Sequence, residues 1–157
     1  MVNVNQIRKN APGFDPRLFL RDEELDYGIA LLLAGERTLM KAAGEIARAF
    51  DLPPLAARVL ITIRFQPGQS VNQLREQLDA TTPTFARIIA DLERRELIER
   101  RQAETGDRRV RQLFLRHEGK RLTDPATIAM RDRLRTAYRA AGPSAVGGAR
   151  AVLEALF

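Results

Sequence analysis

The chain has 157 residues, 45% apolar and 29% charged, which suits one globular domain with a core of its own. It holds no cysteine and one histidine, His117, which excludes disulfides, thiol redox switches, cysteine-ligated zinc and histidine-based metal clusters or triads. Its net charge is +6 and its pI about 10.6. Lys9, Lys41 and Lys120 are the only lysines among 26 basic residues, and the planar donor fork of the remaining arginines suits phosphates and guanine edges. A GC-rich genome also favours arginine codons, so the bias by itself admits a polyanionic partner and no more. No apolar run approaches the ~18 residues of a membrane span, and the start of the chain lacks a signal-type apolar segment. The expectation is a cytoplasmic protein.

Residues 1–21 read as a loose arm, with Asn3, Asn5, Asn10, Pro12, Gly13 and Pro16. Phe14, Leu18, Phe19 and Leu20 are its only anchors, for this chain or for a partner subunit. Asp22 suits a helix N-cap and is followed by two glutamates where the helix dipole favours them. Leu25, Ile29, Leu32, Leu39, Ala43, Ile46 and Phe50 then recur in steps of three and four, predicting one helix over 22–50. At ~1.5 Å per residue it is ~43 Å long, more than a compact monomer of this size needs. Leu31 and Leu33 widen its apolar surface, so the helix is expected to pack on two sides, one of them a second subunit.

Pro53-Pro54 starts a second, buried helix over 54–66 carrying Leu55, Val59, Leu60 and Ile63, and Pro67-Gly68 stops it. A third helix over 71–78 points Leu74 and Leu78 one way, and Asp79-Ala80 form a turn. Thr81 is expected to cap the fourth helix by accepting from the amide of Thr84, and the helix runs to Arg95. Its inner face is Phe85, Ile88, Ile89 and Leu92; its outer face is Thr82, Pro83, Ala86, Arg87 and Ala90. Small side chains let a helix lie close to a groove floor, and Arg87 can reach a base edge or a phosphate.

Residues 97–102 and 110–115 read as two strands of a hairpin around a polar turn at 102–108, with Gly106 available for positive φ. From 97 to 121 there are eight arginines and lysines against four acids, making this window the main source of net charge. A basic hairpin tip after a helix pair is placed to enter a minor groove. Beyond a turn at Glu118-Gly119, Asp124-Pro125 is expected to start or kink a helix carrying Ile128, Leu134, Ala137 and Tyr138 up to Ala141. Gly142-Pro143 breaks it, and Ser144 is expected to cap a last helix with Val146, Ala149, Val152, Leu153, Leu156 and Phe157.

The fold class is therefore mostly α with a small β-hairpin: a winged helix-turn-helix over 51–116, with dimerisation helices at 22–50 and 117–157 in one compact domain. Over roughly residues 25–157 the sequence resembles the MarR family of bacterial winged-helix regulators. The resemblance is carried by Arg58-Val59-Leu60 with Pro67-Gly68, and by the spacing of Leu74, Leu78, Thr81, Thr84, Phe85 and Arg87. Leu92 with Leu97-Ile98-Glu99-Arg100 and the wing motif Asp107-Arg108-Arg109 followed by Leu115 complete it. It implies that Arg109 enters the minor groove, that Asp107 pins the wing, and that Thr82, Thr84 and Arg87 work at the major groove. Thr81, Arg108 and Arg111 complete the expected DNA-binding set. Dimerisation is expected through the first and the last two helices, with Leu25, Ile29, Leu32, Val152, Leu153 and Leu156 at the interface. Two residues depart from the family pattern: Glu96 stands where glycine is frequent, and Arg116 where threonine usually caps the next helix.

The expected function is a homodimeric, sequence-specific DNA-binding transcriptional repressor, responsive to a small-molecule effector whose site the sequence leaves unknown. It would read an inverted repeat in double-stranded DNA and be nucleoid-associated when bound. No cofactor, metal, membrane contact or enzymatic activity is expected, since no phosphate loop, ligand set or activated nucleophile is present. The alternative is a winged-helix dimer serving as a protein-interaction adaptor without DNA binding. Its marks would be lost wing arginines and an acidic outer face on the fourth helix, and neither is seen.

Overall fold

The computed structural model describes residues 15–103 and 110–156. Six helices and one two-stranded antiparallel sheet occur in the order α1 (Asp22–Ala49), α2 (Pro54–Phe65), α3 (Val71–Gln77), α4 (Thr82–Arg94), β1 (Ile98–Gln102), β2 (Arg111–Leu115), α5 (His117–Ala141) and α6 (Pro143–Glu154). The chain divides into two compact units, Met1–Lys41 and Ala42–Phe157.

In the first unit a turn at 15–20 leads into α1. Arg17 donates from its backbone amide and its guanidinium to Asp15, and these hydrogen bonds hold the Asp15 carboxyl below its ordinary pKa. Asp22, Glu23 and Glu24 occupy the first turn of α1, where its dipole favours negative charge. Leu18, Phe19 and Leu20 are exposed. Leu25, Ile29, Leu31, Leu32 and Leu33 are exposed as well. The remaining arm residues, 1–14, lie outside the described residues.

The second unit is built on α2. A proline in its first turn costs no hydrogen bond, and Ala56, Ala57, Val59, Leu60, Ile61 and Ile63 are buried almost all round it. It packs against α4, β2 and α5. The sheet register runs from Ile98 opposite Leu115 to Gln102 opposite Arg111. Leu113 and Leu115 face the core, while Gln112 and Phe114 on the other face are half-buried.

Beyond the helix stop expected at Pro67-Gly68, residues 68–70 add a third line of pairing. Gly68 N–H donates to Leu113 O at 3.0 Å, Leu113 N–H donates to Gln69 O at 2.9 Å, and Ser70 bridges Gln112. Gly68 sits at φ +87°, a conformation other residues adopt only under strain.

The stretch after β2 departs from expectation. Of the two expectations for Asp124-Pro125, a helix start or a kink, the start is not met: α5 begins at His117 and carries Pro125 inside it. The buried face of Leu122, Thr123, Ala126, Thr127 and Met130 outweighs the hydrogen bond that the proline removes. Thr123 and Thr127 are satisfied by donating to the carbonyls of Gly119 and Thr123, each at 2.9 Å. Arg64 of α2 donates to Asp124 at 2.6 Å. Arg116 is the N-cap position and makes no side-chain cap, as its replacement of threonine implied.

The turn expected at Glu118-Gly119 is instead the first turn of α5, because Gly119 lets the helix lie directly on Leu97. A Cβ at Gly119 would fall 2.1 Å from the Leu97 carbonyl oxygen. Ser144 is not the cap of α6 either: Gly142, at φ +82°, holds that position and Pro143 follows it. From Arg131 onward no residue of α5 is buried, and none of α6 is. Ile128, Leu134 and Tyr138, read from sequence as the apolar residues of α5, are exposed.

Candidate nucleic-acid interface

The helix pair α3–α4 is set by local chemistry at the start of α3 and in its turn. Ser70 accepts from the Gln73 amide at 3.2 Å while the Gln73 side chain accepts from the Ser70 amide at 2.9 Å, a reciprocal capping box. Leu74 is fully buried and seats α3 on the core. Asp79 turns the chain at φ +47°, a conformation that short polar side chains tolerate better than most.

Thr81 occupies the N-cap of α4, but its hydroxyl does not cap the helix. It lies 3.0 Å from the Thr84 hydroxyl and donates to it, leaving the first amides of α4 without a side-chain acceptor. Such free N–H groups at a helix start are suited to an anion.

The α4 stripe is divided as its spacing predicts. Phe85, Ile88, Ile89 and Leu92 are buried, whereas Thr82, Pro83, Thr84, Ala86, Arg87 and Ala90 are exposed. No acid lies in the first turn. The two carboxylates near the helix end are engaged: Asp91 with Arg94 and, at 2.9 Å, with Arg95, and Glu93 with Arg100 of β1 at 2.8 Å. Arg87 makes no hydrogen bond or ion pair among the described residues. The exposed N-terminal half of α4 is thus small, uncharged and hydroxyl-bearing, with one unengaged guanidinium.

The exit from α4 keeps a left-handed residue where glycine is frequent in the family. Glu96 adopts φ +56°, and its carboxylate lies 3.4 Å from Arg116. In the hairpin that follows, Arg101 stacks over Phe114, 4.7 Å from the ring centroid, and pairs with Glu99. Arg111 is exposed on β2, opposite Gln102. Gly106, Asp107, Arg108 and Arg109 lie outside the described residues.

Thr81, Thr82, Thr84 and Arg87 therefore share one exposed end of α4, and Arg111 stands on the strand that leaves the wing. Leu25, Ile29 and Leu32 are exposed on α1, and Val152, Leu153 and Leu156 are exposed at the end of the chain. The capping box has a signal in the sequence, Ser70-x-x-Gln73 ahead of α3. The Arg101–Phe114 stack had no sequence signal, since it depends on strand register. Among the described residues, no three acids or histidines are grouped to hold a metal ion, and no helix is long and apolar enough to cross a membrane.

Comparison with known proteins bears on this geometry. The MarR family model matches residues 50–109. The HTH-type transcriptional regulator PetP of Rhodobacter capsulatus is 36% identical over 146 residues, covering 93% of this chain and 87% of that protein. Among solved structures, NadR in complex with 4-hydroxyphenylacetate has a TM-score of 0.64 at 17% identity, over 93% of this chain and 97% of that one. A mutant MepR of S. aureus bound to an oligodeoxyribonucleotide has a TM-score of 0.51 at 19% identity, over 81% and 93%. These two likenesses show the fold. The identity to a curated regulator over nearly the full chain shows more: the chain belongs to the MarR family of helix-turn-helix transcriptional regulators.

Proposed function

We propose that this regulator binds duplex DNA as a homodimer, with α4 in the major groove and the wing at 102–111 in the minor groove. The observation that carries the reading is the outer face of α4. It is exposed, free of acid over its first turns, and presents Thr82, Thr84 and Arg87 beside uncapped helix amides. Asp107 would pin the wing, Arg109 would enter the minor groove, and Arg108 and Arg111 would supply phosphate contacts.

Two copies of one reader bind an inverted repeat with half-sites ~10 bp apart. The exposed apolar residues of α1 and α6 support that symmetry, since so many uncovered side chains suit a second copy of the chain. MepR's oligodeoxyribonucleotide and NadR's 4-hydroxyphenylacetate support a DNA partner and a small effector in turn. A coupling of ~1–3 kcal/mol between effector and DNA would suffice for a repressor to release its operator. The chain acts by binding and catalyses no reaction.

Selection of bound fragments from the host genome with the purified protein tests this reading. An enriched inverted repeat is the expected result. Recovery of no fragment above background would instead favour the adaptor reading, and uniform recovery with no shared motif would remove the sequence specificity.

A further inference from the structure

Three glutamines around α3 close a ring of side-chain hydrogen bonds. Gln69 Nε2 donates to Gln66 Oε1 and to Gln77 Oε1, each at 2.8 Å, and Gln77 Nε2 donates to Gln66 Oε1 at 3.0 Å. The three residues belong to three different places in the second unit. Gln66 is the C-cap of α2, Gln77 is the last residue of α3, and the Gln69 backbone carbonyl accepts from Leu113 of β2. The side-chain oxygen of Gln69 is enclosed and accepts no hydrogen bond among the described residues, so its two donated bonds set its orientation.

These bonds have a mechanical consequence. α3 is seven residues long, about 10 Å. Its first end is fixed to the wing strand, because residues 68–70 pair with Leu113 and Gln112 and run straight into it. Along its length only Leu74 is buried. A short rod fixed at one end and resting on one side chain can still swing. The ring ties its far end, at Gln77, to the end of α2 and back to Gln69. α4 follows after the turn at Asp79, so a swing of α3 would carry the outer face of α4 away from its place beside the hairpin. We infer that Gln66, Gln69 and Gln77 are positioning residues: through α3 they fix the pose of α4 relative to the wing strand β2. A protein that reads two adjacent grooves binds only in the fraction of molecules that have both elements in place. This consequence for DNA rests on the DNA-binding reading, whereas the ring's hold on α3 does not.

Methionine matches glutamine in length and helix preference but offers no amide donor or carbonyl. Gln77 is exposed and Gln69 half-buried, so Gln69→Met and Gln77→Met should fold, with urea denaturation of the full chain as the check. Without DNA, Gln77→Met should raise amide exchange at Gly68 and Leu113, at the opposite end of α3, about fivefold, the effect of one net hydrogen bond on a local opening. The amides of α2 should keep their parent rates. On duplex carrying the selected inverted repeat, each variant should lose about fivefold in affinity as the competent fraction falls. The double variant should lose no more than the worse single, since either substitution opens the same ring; two direct DNA contacts would multiply their losses. Unchanged exchange at Gly68 and Leu113 in Gln77→Met would overturn the assignment. So would multiplied losses in the double variant, or unchanged duplex affinity in both singles. If the parent protein binds no duplex, the DNA-binding reading fails, and the exchange experiment still decides whether the ring holds α3.

Discussion

At the scale of single residues, Gly119 shows how closely α5 is laid against the exit of the helix-turn-helix. Arg116 N–H donates to Leu97 O at 3.0 Å, and Gly119 brings its own backbone against the same carbonyl. A methyl there would overlap backbone rather than a side chain, so it cannot be accommodated by a rotamer change. Gly119→Ala should destabilise the fold by about 2 kcal/mol or more, measured by urea denaturation. Glu96 is the opposite case. It spends its conformational energy at φ +56° for an ion pair that is long and exposed. Glu96→Gly should stabilise the protein by up to about 1 kcal/mol, because glycine enters the left-handed region freely and an exposed pair contributes little. For DNA, Arg109→Ala should weaken duplex binding and lower the slope of log affinity against log salt by about one phosphate contact. Unchanged binding would remove the minor-groove role of the wing.

Elements here are specified by different means. α4 is legible in the sequence because its inner stripe of Phe85, Ile88, Ile89 and Leu92 is unbroken and its outer face lacks acids. α3 is only seven residues long and relies on its cap. Ser70→Ala should therefore cost about 1 kcal/mol in thermal or chemical unfolding, and should loosen α3 before the rest. The N-terminal boundary of α5 was not legible, since Asp124-Pro125 has the chemistry of a helix start. Packing of Leu122, Ala126 and Met130 keeps the helix continuous through the proline. The pairing of 68–70 with β2 was likewise hidden: three residues around a Pro-Gly carry no strand period, and the pairing exists only once the hairpin has formed.

For the whole molecule, the distribution of uncovered apolar surface is the main physical fact. Val152 is 63% exposed on a helix with no buried residue, and Leu156, just beyond that helix, is 60% exposed. A free monomer would hold that surface against water at a cost of about 25 cal/mol per Å². Sedimentation at micromolar concentration should give a dimer, and Leu153→Asp should give a monomer with parallel loss of specific DNA binding. A monomeric parent protein would sink the homodimer proposal.

The sequence alone determined the order of elements, the division of α4 into core and outer faces, and the family. Those features are carried by local periodicity, turn chemistry and residue spacing, which do not depend on distant contacts. Tertiary structure decided the rest. It made Gly119 obligatory, carried α5 through Pro125, and gathered Arg64, Arg101, Lys120 and Arg131 around one cavity. Each of these depends on which surfaces meet across tens of residues, and no spacing along the chain encodes such a meeting.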